Sequence, residues 1–173
     1  MNRLRSGAHE TFRSLSIRNF RLFFVGQGLS QIGTWLEMVA LTLLVLHLTN
    51  NSGVAAGLLT ACMFAPVLLM GAWAGVVTDR VDKRRLLIIA NVAAMLQSFV
   101  LAALAFLPTP PLAAIFAVAS IQGVINAFDN PARRALVVEM VPTENVPNAV
   151  SLNSALMTSS RIFGPTLAGV LVL

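Results

Sequence analysis

The chain has 173 residues, 57% of them hydrophobic and only 11% charged, with a mean hydropathy of +0.79. A soluble enzyme domain of this length needs a polar exterior that so few charges cannot supply, so lipid must cover much of the surface. The formal charge of +5 does not indicate nucleic acid, because the basic residues sit between apolar runs instead of across a folded face.

Residues 1–21 form a basic amino-terminal segment with Arg3, Arg5, Arg13, Arg18 and Arg21. The apolar run after it is too long for a signal-peptide core and has no clear small-x-small cleavage site, so it is read as an uncleaved first helix. At about 20 apolar residues per crossing, the pattern predicts five membrane spans, at 22–48, 54–78, 86–107, 112–128 and from 151 onward. Thr49, Asn50, Asn51, Ser52 and Gly53 make a polar turn after the first. Pro108, Pro110 and Pro111 close the third, since proline lacks the N–H that would continue a helix. Between spans four and five, residues 129–150 read as a longer polar segment containing a short interfacial helix.

Eleven of the twelve lysines and arginines lie in the amino-terminal segment, after span two or after span four, and the loops after spans one and three carry none. Short loops rich in these residues stay cytoplasmic, so the amino terminus and both charged loops are assigned to the cytoplasm of a plasma (inner) membrane. The last apolar run reaches Leu171, Val172 and Leu173 without a charged or aromatic anchor. The expectation is therefore an amino-terminal portion of a larger protein, cut inside or just after its fifth helix.

The strongest local pattern lies between spans two and three: Gly75, Asp79, Arg80, Asp82, Lys83, Arg84 and Arg85. An aspartate at the carboxyl end of a helix is unfavourable beside the helix dipole, so Asp79 calls for a cationic partner or the amino end of another helix. A plain basic cytoplasmic loop is the simpler reading of the same charges. With Gly75 four residues before Asp79, however, the run resembles the loop signature G-x-L-A-D-R-x-G-R-R of the major facilitator superfamily of secondary transporters. Val77 replaces the usual leucine and Asp82 the second glycine. The stretches Phe20-Arg21-Leu-Phe-Phe-Val-Gly26-Gln27, Gly33-Thr34-Trp35 and Ala127-Phe128-Asp129-Asn-Pro131-Ala132-Arg133 resemble the branch that includes the enterobactin exporter.

The resemblance implies an all-α polytopic membrane helical bundle, with this chain supplying the first five helices of a twelve-helix fold whose sixth helix and second bundle lie outside it. It further implies a central path opening alternately to the two sides, with helices one and four lining it. The implied partners are the bilayer, a small-molecule substrate, protons and the remaining helices. An importer on the same fold and a non-transporting membrane scaffold or inactive fragment remain as alternatives.

Both Asp79 and Asp129 are followed at +4 and +5 by basic pairs, Lys83 with Arg84 and Arg133 with Arg134. Read as two helix ends facing the cytoplasm, these groups compose a latch that holds that side closed and releases as the helices tilt. Coincidence in two basic loops is the alternative. Gln27, Ser30, Thr34 and Glu37 follow three- and four-residue steps and so share one stripe of helix one, as Gln122, Asn126 and Asp129 do on helix four. The two stripes compose a candidate proton or substrate path. Glu37 is the only acid well inside a span, either a proton carrier or partner of a cationic substrate, or a carboxylate near the outer water boundary.

Arg161 lies within the fifth span and calls for a carboxylate, either on an anionic substrate or on Glu37 or Asp129 as a permanent pair. Gly164, Pro165 and Gly169 allow a bend and close helix approach, and they resemble the end of the G-x-x-x-G-P-x-x-G-G motif of antiporters. Ala168 replaces one of its glycines and Ser160 the upstream one. This favours export over uptake. Cys62 allows no disulfide within the chain, and His9 and His47 have no second ligand at metal spacing. With no phosphate-binding glycine loop, Ser-His-Asp set or Cys-x-x-Cys, no cofactor and no hydrolytic chemistry are expected.

Overall fold

The computed structural model describes residues 13–172, so Arg3, Arg5 and His9 lie outside the described residues. Among those described, every regular element is helical: α1 (Arg18–Leu48), α2 (Gly53–Arg80), α3 (Lys83–Ala105), α4 (Leu112–Glu139) and α5 (Val146–Val172). A 3₁₀ turn, Arg13–Ser16, precedes α1, and another, Thr143–Asn145, precedes α5. A helix pairs its own backbone groups, which is what an apolar solvent demands.

Short polar links set the boundaries. After α1, Asn50 and Asn51 adopt positive φ of 52° and 61°, a region that asparagine tolerates better than bulkier residues. The Asn51 N–H donates to the Leu46 carbonyl at 2.8 Å, closing the helix end, and Ser52 Oγ accepts from the Ala55 N–H at 3.3 Å, opening α2. Between α2 and α3, Val81 is extended and Asp82 Oδ1 accepts the Arg85 N–H at 2.7 Å. Asp82, the residue standing where the loop signature has glycine, is thus the amino-terminal cap of α3.

The expected polar segment at 129–150 is corrected. α4 runs on to Glu139 and α5 begins at Val146, so the link between them is short, and its helical part is the 3₁₀ turn Thr143–Asn145. Pro131 sits inside α4. One turn of helix brings Arg133 beside Asp129, so the charges that read as a loop neutralise each other along the helix.

Four of the described helices, α1 to α4, are long and apolar enough to cross a membrane, where five were expected. At 27 residues α5 has the length, but Ser151, Asn153, Ser154, Thr158 and Arg161 dilute its apolar character. Much of the apolar surface faces outward, as a lipid-covered protein requires: Leu68, Leu69, Ile89 and Phe99 are all exposed.

The chain packs as two compact units. In the first, made of the described residues up to Val39 and from Arg134 onward, Phe20, Val137, Val141, Ala149 and Leu152 are buried together. Leu15, Ile17, Phe23, Phe24 and Val146 pack against that cluster. In the second, Ala40–Arg133, the buried side chains include Leu41, Val45, Leu59 and Ile115, and Trp73 meets Phe128 edge-on with ring centroids 5.7 Å apart. α4 there approaches α2 closely at Gly123: a Cβ at that position would lie 2.4 Å from the Met63 carbonyl oxygen and 2.9 Å from Pro66 Cγ. Close backbone approach through small residues is how helices associate where lipid removes the hydrophobic drive.

Candidate functional site

In the first unit, Gln27, Ser30, Thr34 and Glu37 all fall within the unbroken α1, so the stripe expected from their spacing exists. Gln27 is buried, Ser30 is exposed, and Thr34 and Glu37 are half-buried. Thr34 Oγ1 donates to the Ser30 carbonyl at 3.1 Å, so those two positions are joined along the helix and not through a partner element.

Arg161 and Trp35, also in the first unit, form the contact that sequence reasoning missed. The Arg161 guanidinium carbon stands over the Trp35 ring, 5.6 Å from its centroid, within the range of a cation–π interaction. Gly164, three residues further along α5, makes this possible: a Cβ there would lie 2.3 Å from Trp35 Cβ. Arg161 and Gly164 thus bracket one tryptophan. The described partner of Arg161 is an aromatic ring, where Glu37 or Asp129 was expected as the structural alternative. The signal available in the sequence was the sole tryptophan of helix one, in a protein with one arginine inside an apolar run. Pro165 lies inside α5, Ala168 is buried, and a Cβ at Gly169 would meet nothing within 4 Å.

In the second unit, Gln122 Nε2 donates to Asn126 Oδ1 at 3.2 Å, one helical turn apart on α4. Asp129 accepts from Arg133 Nη2, and both side chains are less than 10% exposed. A buried carboxylate would be costly alone, and the guanidinium beside it makes that burial tolerable. The expectation that Asp129 ends a helix is corrected, because ten residues of α4 follow it. Asp79, by contrast, does lie at a helix end, next to last in α2, and it is exposed, as are Arg80 and Arg84. Lys83 opens α3 and is half-buried. Among the described residues a Cβ at Gly75 would meet nothing within 4 Å. Arg134 is exposed. Among the described residues no group of His, Cys, Asp and Glu gathers at metal-binding distance.

The described surface therefore offers a polar stripe on one membrane-length helix, a neutralised buried pair on another, a charged two-residue link, and an arginine resting on an indole. The family described as transmembrane secretion effector matches residues 9–173, nearly the whole chain. The chain belongs to this family of major facilitator transporters. It is 31% identical over 153 residues to the staphyloferrin A transporter of Staphylococcus aureus, covering 88% of this chain and 38% of that protein. Macrolide efflux protein A of Streptococcus pyogenes is 28% identical over 154 residues, covering 88% of this chain and 37% of its own length. An uncharacterized major-facilitator-type transporter of Bacillus subtilis is 26% identical over 146 residues, or 84% and 34% of the two lengths. The chain thus spans little more than a third of these relatives, which are named as transporters and not as enzymes. No solved structure matches it significantly. The all-helical membrane fold agrees with the family, and that family supplies the multi-pass membrane setting.

Proposed function

We propose that the protein to which this chain contributes is a secondary active exporter of a siderophore, drug or similar small molecule, working by alternating access and coupled to protons. The carrying observation is the stripe Gln27, Ser30, Thr34 and Glu37 along a helix otherwise apolar enough to cross a membrane. An acid in such a helix is expensive to insert, by about 2.5 to 3.5 kcal/mol for a central aspartate on insertion scales, and is kept where it faces protein or water. In this reading Glu37 carries the proton, and Gln27, Ser30, Thr34, Gln122, Asn126 and Arg161 contribute to the substrate path. Export is favoured by the relative named for macrolide efflux. In this reading the amino terminus is on the cytoplasmic side of the plasma membrane, which the excess of Lys and Arg at 1–21, around Arg80 and around Arg133 supports. The exposed Asp79, Arg80 and Arg84, with Lys83 beside them, form the cytoplasmic latch. Asp129 and Arg133 support it from inside α4, and Arg134 lies one residue further on.

The test is Glu37→Gln in the full-length protein, followed as gradient-driven flux in proteoliposomes. Loss of flux with unchanged insertion and folding supports the assignment, and wild-type flux overturns it.

A further inference from the structure

The geometry points to a subsite for an anionic group, a carboxylate of the transported solute, at Arg161, with Trp35 as its platform; this inference rests on the transporter reading above. Arg161 lies fifteen residues after the first residue of α5, about 22 Å along the helix at 1.5 Å per residue, and its side chain is exposed. A guanidinium carries five N–H donors in one plane and stays charged. The contact with Trp35, 5.6 Å from guanidinium carbon to ring centroid, engages a π face and no oxygen acceptor. An aromatic ring attracts the guanidinium but carries no counter-charge, so the positive charge itself remains to be met. What remains is matched by a charge-assisted, bidentate bond to a carboxylate, whose two oxygens fit the guanidinium fork.

The surroundings suit such a ligand. Ser154, Thr158 and Arg161 follow four- and three-residue steps and are all exposed, so hydroxyls continue the same face of α5 toward its amino end. Gly164 holds the platform in place, since its missing Cβ lets α5 lie against Trp35 while the indole reaches back under Arg161. Among the described residues the guanidinium meets an aromatic ring, which orients the charge without neutralising it.

The experiment uses the full-length protein with Trp35 as its sole tryptophan, in phosphatidylcholine nanodiscs, and follows Trp35 emission during titration with benzoate or its neutral analogue benzamide. Benzoate should give a saturable change that weakens at least tenfold in Arg161→Gln and by less in Arg161→Lys, which keeps the charge but loses the planar fork, while benzamide gives none. An equal response to benzamide, or equal benzoate affinity in Arg161→Gln, overturns the subsite. So does the absence of any saturable benzoate response in the wild type. A change that appears without benzoate when phosphatidylglycerol replaces phosphatidylcholine assigns the guanidinium to a lipid headgroup and also overturns it. Should Arg161→Gln fail to fold, Arg161→Lys with Thr158→Ala keeps the charge and removes a hydroxyl of the same face; unchanged benzoate affinity there counts against the subsite. Binding is read independently of flux, so a protein that binds benzoate through Arg161 yet transports nothing sinks only the exporter reading.

Discussion

Gly164 and Trp35 meet so closely that a methyl group at residue 164 would fall 2.3 Å from Trp35 Cβ. Carbon atoms do not approach to that distance, and the obstructing atoms are near the backbone of α1, where they cannot swing aside. Gly164→Ala should therefore push α5 off α1 and destabilise the protein by about 1 to 3 kcal/mol, the usual cost of overpacking. Gly169→Ala, five residues on, meets nothing and removes a flexible helical residue, so it should be neutral or stabilising by up to about 1 kcal/mol. Thermal unfolding of the two variants in one detergent checks the opposite signs. A shared sign would show that helix propensity and not the Trp35 contact governs position 164.

The contrast between these glycines shows where sequence reasoning stops. The helices were legible because apolar runs of membrane length between proline and polar links leave the backbone one economical solution. The stripe on α1 was legible because three- and four-residue spacing survives in any unbroken helix. The course of α4 was not: Pro131 and four charged residues between 129 and 139 imitate a loop, and only the pairing of Asp129 with Arg133 in three dimensions shows how a helix carries them. Contacts between distant segments, such as Arg161 on Trp35 or Gly123 against Met63, leave no periodic trace in a single sequence.

The Asp129–Arg133 pair gives a sharper test of energetics. Both side chains are buried, so removing one charge strands the other away from water. Asp129→Leu or Arg133→Met alone should cost about 3 to 5 kcal/mol, and the double substitution should recover most of that loss because it buries no charge. A double-mutant cycle by thermal or denaturant unfolding measures the coupling. Simple additivity of the two losses would refute the pairing.

Asp79 and Asp82 stand three residues apart yet answer to different physics. Asp82 Oδ1 receives the Arg85 N–H, so Asp82→Ala should cost about 0.5 to 2 kcal/mol while Asp82→Asn, which keeps an acceptor, costs little. Asp79 is exposed at the carboxyl end of α2, where its charge opposes the helix dipole, so Asp79→Asn should leave stability unchanged or raise it slightly. In the full-length protein the same Asp79→Asn change should favour the cytoplasm-open state, seen as faster labelling of cysteines placed along α4. Unchanged labelling counts against the latch.

The turn before α1 is tied to the turn before α5 by two kinds of bond with different expected weight. Arg13 Nη2 donates to Glu144 Oε1 at 3.0 Å, but the two side chains are 57% and 67% exposed, and exposed pairs contribute at most about 1 kcal/mol. Ser14 is fully buried; its N–H donates to Asn148 Oδ1 at 3.1 Å and its hydroxyl to the Asn145 carbonyl at 3.3 Å. Asn148→Ala leaves that N–H in a buried place without an acceptor, which should cost about 1 to 3 kcal/mol. Arg13→Ala should cost less than about 1 kcal/mol, and its effect should fade as salt is raised, since water reaches the pair it breaks. Hydrogen exchange at the Ser14 amide discriminates the two bonds directly. Exchange should quicken strongly in Asn148→Ala and little in Arg13→Ala, and the reverse order would mean that the surface ion pair, not the buried serine, holds the amino-terminal turn in place.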